Sequence, residues 1–129
     1  MIHLDANLLI AASDPEHPHV PVFRSLLAEA QPLAASSIAW TEYRSYPIDP
    51  LKERVLLQVL EGGVVPFDRI SAELAGQLFH KTKTHRRNRL DSMIAATAIL
   101  KGAHLATANR ADFEPFVPLG LKLHPLSPP

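Results

Sequence analysis

The chain has 129 residues, 47% hydrophobic and 20% charged, enough for one domain with a real core and too apolar for disorder. It contains no cysteine, which excludes a disulfide framework and a thiolate metal site and is simplest in a reducing compartment. Thirteen basic and thirteen acidic side chains cancel to zero net charge, yet they are unevenly placed: five of the thirteen Lys and Arg lie in "HKTKTHRRNR", residues 80–89, with no acid among them.

"MIHL" is an apolar strand candidate, and "NLLIAAS" after Asp5 can start a helix, so the opening reads as strand, tight turn, helix. No basic leader precedes it, so it does not read as a secretion signal, and no apolar run reaches the roughly 18 residues of a membrane span. A soluble, cytoplasmic protein with no membrane partner is expected. After the Pro-rich "DPEHPH", "VPVFRSLLAEA" has Val22 and Leu26 at helical spacing, and Gln31-Pro32 ends the element. "LAASSIA" is a short strand candidate leading into "WTEYRSY", a helix that Pro47 stops. Asp49 and Pro50 make an N-cap and first helical position for "LKERVLLQVLE", apolar at Leu51, Val55, Leu56 and Val59 and closed by Gly62-Gly63. "VVPF" is a brief strand, and "DRISAELAGQLFHKTK" a helix with Ile70, Leu74 and Leu78 on one face. "LDSMIAATAILKG" is apolar on nearly every side and predicts a central buried helix, closely packed through Ala95, Ala96 and Ala98. "HLAT" and "LKLHPL" are the last strands, separated by loop-like "ANRADFEPFVPLG", and "SPP" is a tail. The alternation predicts an α/β fold with a central, mainly parallel sheet flanked by helices, whose ligand site lies beyond the strands' carboxyl ends.

Four acids stand where the pattern offers no solvent face: Asp5, Glu42, Asp91 and Asp112. Singly, each has a structural explanation. Asp5 and Asp91 can cap helices or favour a positive helix N-terminus, Glu42 can be a solvated helix residue, and Asp112 can form a turn. Together they differ, because three follow strands that a parallel sheet would bring to one end. Clustered carboxylates repel, so a positive partner must offset them. Oxygen donors without cysteine suit Mg²⁺ or Mn²⁺ rather than Zn²⁺, and such an ion can bind a phosphate oxygen and activate water for in-line displacement.

"HLDANLLI", "WTEYR", "LDSMIAATAI" and "TANRADFEPF" together resemble the four acidic motifs of the PIN domain family, in the order and spacing of VapC-type ribonuclease toxins, over nearly the whole chain. The resemblance implies a single PIN-like domain over residues 1–129 with a three-layer fold. It also implies Mg²⁺- or Mn²⁺-dependent endoribonuclease activity on RNA, a cognate antitoxin partner and a homodimer. By the same resemblance Asp5 and Asp91 match principal metal ligands, Asp112 a further acid completing the metal site, and Glu42 the acid that positions water or metal. Thr107 and Asn109 match polar positions near that site. Asn7 reads as a turn or helix-start residue with a supporting hydrogen bond to Asp5.

In the basic stretch, Lys83, Arg86, Arg87 and Arg89 either hold RNA phosphates or form a solvated helix end. Arg44 pairs with an acid of the site or touches substrate, the His17/His19 pair is weak support for Zn²⁺, and Trp40 and Tyr43 either stack on bases or pack in the core. Two other functions fit the residues. Phosphotransfer through an aspartyl nucleophile needs a second acid where Asn7 stands. The non-enzymatic alternative is an RNA- or protein-binding module whose acids are only caps.

Overall fold

The computed structural model describes residues 1–82 and 89–126. Its strands are β1 (Ile2–Leu4), β2 (Leu33–Ser36), β3 (Gly63–Val65), β4 (His104–Ala106) and β5 (Lys122–Leu123). They form one sheet in the order β3-β2-β1-β4-β5, and every pairing is parallel. The chain thus builds outward from β1 to β3 and then returns to the other side of β1, which puts the topological switch between β1 and β4.

Every residue of β1 and β2 is buried. Successive strand residues point to opposite faces, so helices must cover both sides of the sheet centre. Those helices are α1 (Ala6–Ser13), α2 (Val20–Ala28), α3 (Ser37–Arg44), α4 (Pro50–Val59), α5 (Arg69–Thr82), α6 (Arg89–Leu100) and the short α7 (Arg110–Phe113). α6 is the central buried helix, with Ser92 and Ile94 through Ala98 all inside, and its alanines leave room for close neighbours. It stops at Gly102, whose φ of 63° is open to glycine without strain. Gly62 answers a different demand: a Cβ there would lie 2.8 Å from that of Ala34, so only glycine lets the chain enter β3 this close to β2.

Local chemistry sets several boundaries as the sequence predicts. Asp49 caps α4 by accepting the Leu51 amide at 2.9 Å, and Pro50 follows at the first helical position. Elsewhere tertiary context prevails. α3 begins at Ser37 rather than near Trp40, because the Ser36 hydroxyl accepts the Ala39 amide at 3.0 Å and caps the helix three residues early. The segment expected to be loop between β4 and β5 forms α7 and a 3-10 helix, Glu114–Leu119, in which Pro115 occupies a starting position that lacks no necessary donor. α5 buries Ser71, Ala75 and Leu78, while Ile70 is 63% exposed, so its inner face is rotated from the apolar stripe. In α4 only Leu56 is buried, and Leu51 and Val55 face outward. The terminal "SPP", together with Lys83, Arg86 and Arg87, lies outside the described residues.

Candidate functional site

β1 ends at Leu4, and its parallel pairing with β4 continues one step beyond, through the Asp5 amide donating to the Ala106 carbonyl at 3.0 Å. Asp5 and Thr107 therefore face each other at the carboxyl edge of the two central strands. Only 6% of Asp5 is exposed. Its Oδ1 accepts the Ala6 amide at 2.8 Å and caps α1, and its Oδ2 accepts the Thr107 hydroxyl at 2.8 Å. The cap and site readings of Asp5 thus coexist, one oxygen for each. The Thr107 oxygen also accepts the Asn109 amide at 3.0 Å, fixing the turn that leads to α7 and Asp112. The bond to Asp5 comes from Thr107 and not from Asn7, whose Oδ1 is buried without a partner among the described residues.

The other acids arrive on separate helices: Glu42 late in α3, Asp91 in the first turn of α6, and Asp112 on α7. Glu42 and Asp91 are half-buried and Asp112 is exposed. Their charges interact. Burial pushes the Asp91 carboxyl up to about 7, with further pushes from Asp5, Asp112 and Glu42. Burial also raises Glu42, and Asp5 adds to it. In Asp5 burial raises the pKa, the Thr107 and Ala6 hydrogen bonds work against it, and Asp112 reinforces it. The fold therefore brings all four sequence-predicted acids into one field of mutual repulsion.

Among the described residues none of the four forms a salt bridge. Nor do any three His, Asp or Glu side chains there converge into a ready cage for an ion. In donor chemistry the four acids fit a hard divalent cation: every donor is oxygen, the charges lack counterions among the described residues, and the orphaned Asn7 oxygen stands two residues beyond Asp5.

Arg44, Trp40, Tyr43 and the His17/His19 pair are engaged in other contacts. Arg44 bonds Glu53 of α4 at 3.2 Å. Tyr43 is fully buried with its hydroxyl 2.8 Å from Ser13 Oγ, and Trp40 packs on it at a ring separation of 4.7 Å, so the pair is core. His17 Nδ1 accepts the His19 amide, an ordinary turn contact. Of the basic set, Arg89 is described; it opens α6, exposed, two residues before Asp91.

Residues 2–114 match the PIN domain family. Solved structures of the same fold include FitAB bound to an IR36 DNA fragment, with 23% identity over 96% of this chain and 94% of the other and a TM-score of 0.70. FitAcB from Neisseria gonorrhoeae follows at 24% identity, 96% and 97% coverage and a TM-score of 0.69. VapBC2 from Rickettsia felis, bound to a DNA fragment from its promoter, shares 24% over 96% and 98%, with a TM-score of 0.67. At these identities the likeness is one of fold. A search of curated proteins gave no match.

Proposed function

The chain belongs to the PIN domain family, and from that premise we propose that it is a Mg²⁺- or Mn²⁺-dependent endoribonuclease, the toxin of a toxin–antitoxin pair. One domain over residues 1–129 carries the activity, acting in the cytoplasm as a homodimer that a cognate antitoxin holds in check. The observation that supports this best is the state of Asp91, whose carboxyl is driven to about 7 by burial and by three neighbouring acids without a cation to relieve them among the described residues. An arrangement so costly to the empty protein is explained by a ligand of opposite charge.

Asp5, Asp91 and Asp112 would hold the ion, and Glu42 would orient the attacking water. When bound, the ion supplies neutralisation of phosphate charge and a lowered pKa for water. Asp5 is preset for its part, since the Ala6 amide and the Thr107 hydroxyl each hold one of its oxygens. Glu42, with its raised affinity for a proton, can take one from water as the water oxygen adds to phosphorus and one P–O bond breaks. Arg89 contributes a phosphate contact beside Asp91. The toxin assignment draws on the structures of like fold, described as toxin–antitoxin complexes or bound to promoter DNA.

The absence of a closed three-residue cage among the described residues favours one alternative, a non-catalytic RNA- or protein-binding module of the same fold. Induced expression in a bacterial host separates the two. Growth arrest with the wild type and not with Asp5→Asn supports the nuclease, and equal arrest by both contradicts it. Asn at position 5 keeps the capping oxygen, so the variant should fold.

A further inference from the structure

β5 ends at Leu123, and the residue that follows it makes three hydrogen bonds in different directions. The His124 amide donates to the Leu105 carbonyl at 2.8 Å, the His124 carbonyl accepts from Arg110 Nη1 at 2.7 Å, and the His124 ring Nε2 lies 2.9 Å from Glu29 Oε1. A carboxylate only accepts, so the buried ring donates to it from Nε2. Glu29 is the C-cap of α2, and its own amide donates to the carbonyl of the buried Leu26, so the ring is anchored to a packed helix end.

At the other end of this chain of contacts, Arg110 opens α7, which carries Asp112. On a helix, positions two apart point to nearly opposite sides. Arg110 therefore reaches β5 from one side of α7 while Asp112 leaves from the other, where its charge raises the proton affinities of Asp5 and Asp91. A helix of four residues cannot hold its own orientation. It is fixed by the Asn109 amide on the Thr107 hydroxyl, by the burial of Phe113 and by the Arg110 bond. Arg110 forms no salt bridge among the described residues, so its described bond goes to a neutral carbonyl and not to Asp112 two positions on.

We propose that Glu29, His124 and Arg110 are positioning residues, a chain of hydrogen bonds that sets the rotation of α7 and so turns Asp112 toward the carboxylate centre; this rests on the reading of that centre as a divalent-ion site. The chain draws on α2, the end of β5 and α7, segments far apart in sequence. Its effect falls on ion affinity and not on contact with RNA.

The test is calorimetric titration of the metal-free chain with Mn²⁺, beside a thermal melt and cleavage of single-stranded RNA at saturating Mn²⁺. Arg110→Met keeps the stem and removes the donors, and Glu29→Ala frees the ring at the exposed end of the chain, where the fold has least to lose. Each is expected to weaken Mn²⁺ binding roughly tenfold with KM for RNA unchanged. Arg110→Lys keeps a donor and Glu29→Gln keeps the acceptor oxygen, so both should recover most of that affinity. Because the residues act in series, the double variant Glu29→Ala/Arg110→Met should lose no more than the weaker single variant. Wild-type Mn²⁺ affinity in Glu29→Ala and Arg110→Met, even with lowered melting temperatures, overturns the chain and leaves the ion site standing, as do losses that add in the double variant. A raised KM with unchanged Mn²⁺ affinity in Arg110→Met assigns Arg110 to the RNA backbone and overturns it as well. Absence of Mn²⁺ binding by the wild type removes the ion site and the chain with it.

Discussion

The Thr107 hydroxyl donates to Asp5 Oδ2 at 2.8 Å, joining the ends of two adjacent parallel strands across 102 positions of sequence. This bond fixes the carboxylate's orientation and lowers its proton affinity against the effect of burial. Thr107→Val keeps the shape and removes the donor. It is expected to weaken Mn²⁺ binding roughly tenfold and to cost about 1 kcal/mol of stability, whereas Thr107→Ser should stay near wild type. Calorimetric titration and thermal melts read the two effects, and unchanged Mn²⁺ affinity in Thr107→Val would rule out this supporting role.

Asp91 gives the metal-free protein an unusual pH dependence. Its carboxyl ionises near pH 7 in the folded chain and near 3.8 when unfolded, so between those values the folded state holds more protons. Stability contributed by protonated Asp91 is present below about 4 and lost as pH rises through 7. Asp91→Asn should therefore melt higher than wild type at pH 8 and lose this dependence. Because a cation competes with the proton, added Mn²⁺ should raise the wild-type melting temperature more at pH 8 than at pH 5.5. Equal shifts at both pH values, or a shift undiminished in Asp91→Asn, would remove Asp91 from the ion's ligands.

His3 produces the opposite slope. It lies in the central strand, 1% exposed, with neither ring nitrogen hydrogen-bonded among the described residues. Burial, then the N-terminal amine and Lys101, lower its pKa from 6.5 to about 4. The unfolded chain takes up a proton that the folded chain refuses, so stability present above 6.5 is lost as pH falls towards 4. Replacing His3 by Leu should leave stability near pH 8 unchanged or improved and flatten the acid limb of the melting curve. Persistence of that limb in His3→Leu would place its origin elsewhere.

Much of this architecture is legible in the sequence because it rests on local chemistry. The Asp49-Pro50 start of α4, the Gly102 stop of α6 and the strand before Asp5 each carry their own signal. The early start of α3 had a signal too, Ser36 as cap, obscured by the run of small residues around it. The outward turn of Ile70, Leu51 and Val55 had none, since a periodic stripe says which residues share a face and not what covers it. The order of the four acids along a strand-helix alternation led to the expectation of one shared centre, and the mutual charge effects on Asp5, Glu42 and Asp91 are in keeping with it. The pairing of Arg44 with Glu53, and of Thr107 rather than Asn7 with Asp5, depends on neighbours brought together only by the fold.

The shared carboxylate centre is tested most directly by cleavage of single-stranded RNA, with and without Mn²⁺, by wild type, Asp5→Asn and Asp91→Asn, each checked by its melting curve. Cleavage is expected from the wild type alone and only with the ion, while both variants melt as folded proteins, Asp91→Asn at or above the wild-type temperature at pH 8. Cleavage that proceeds without a divalent ion, or that survives in both folded variants, would contradict it.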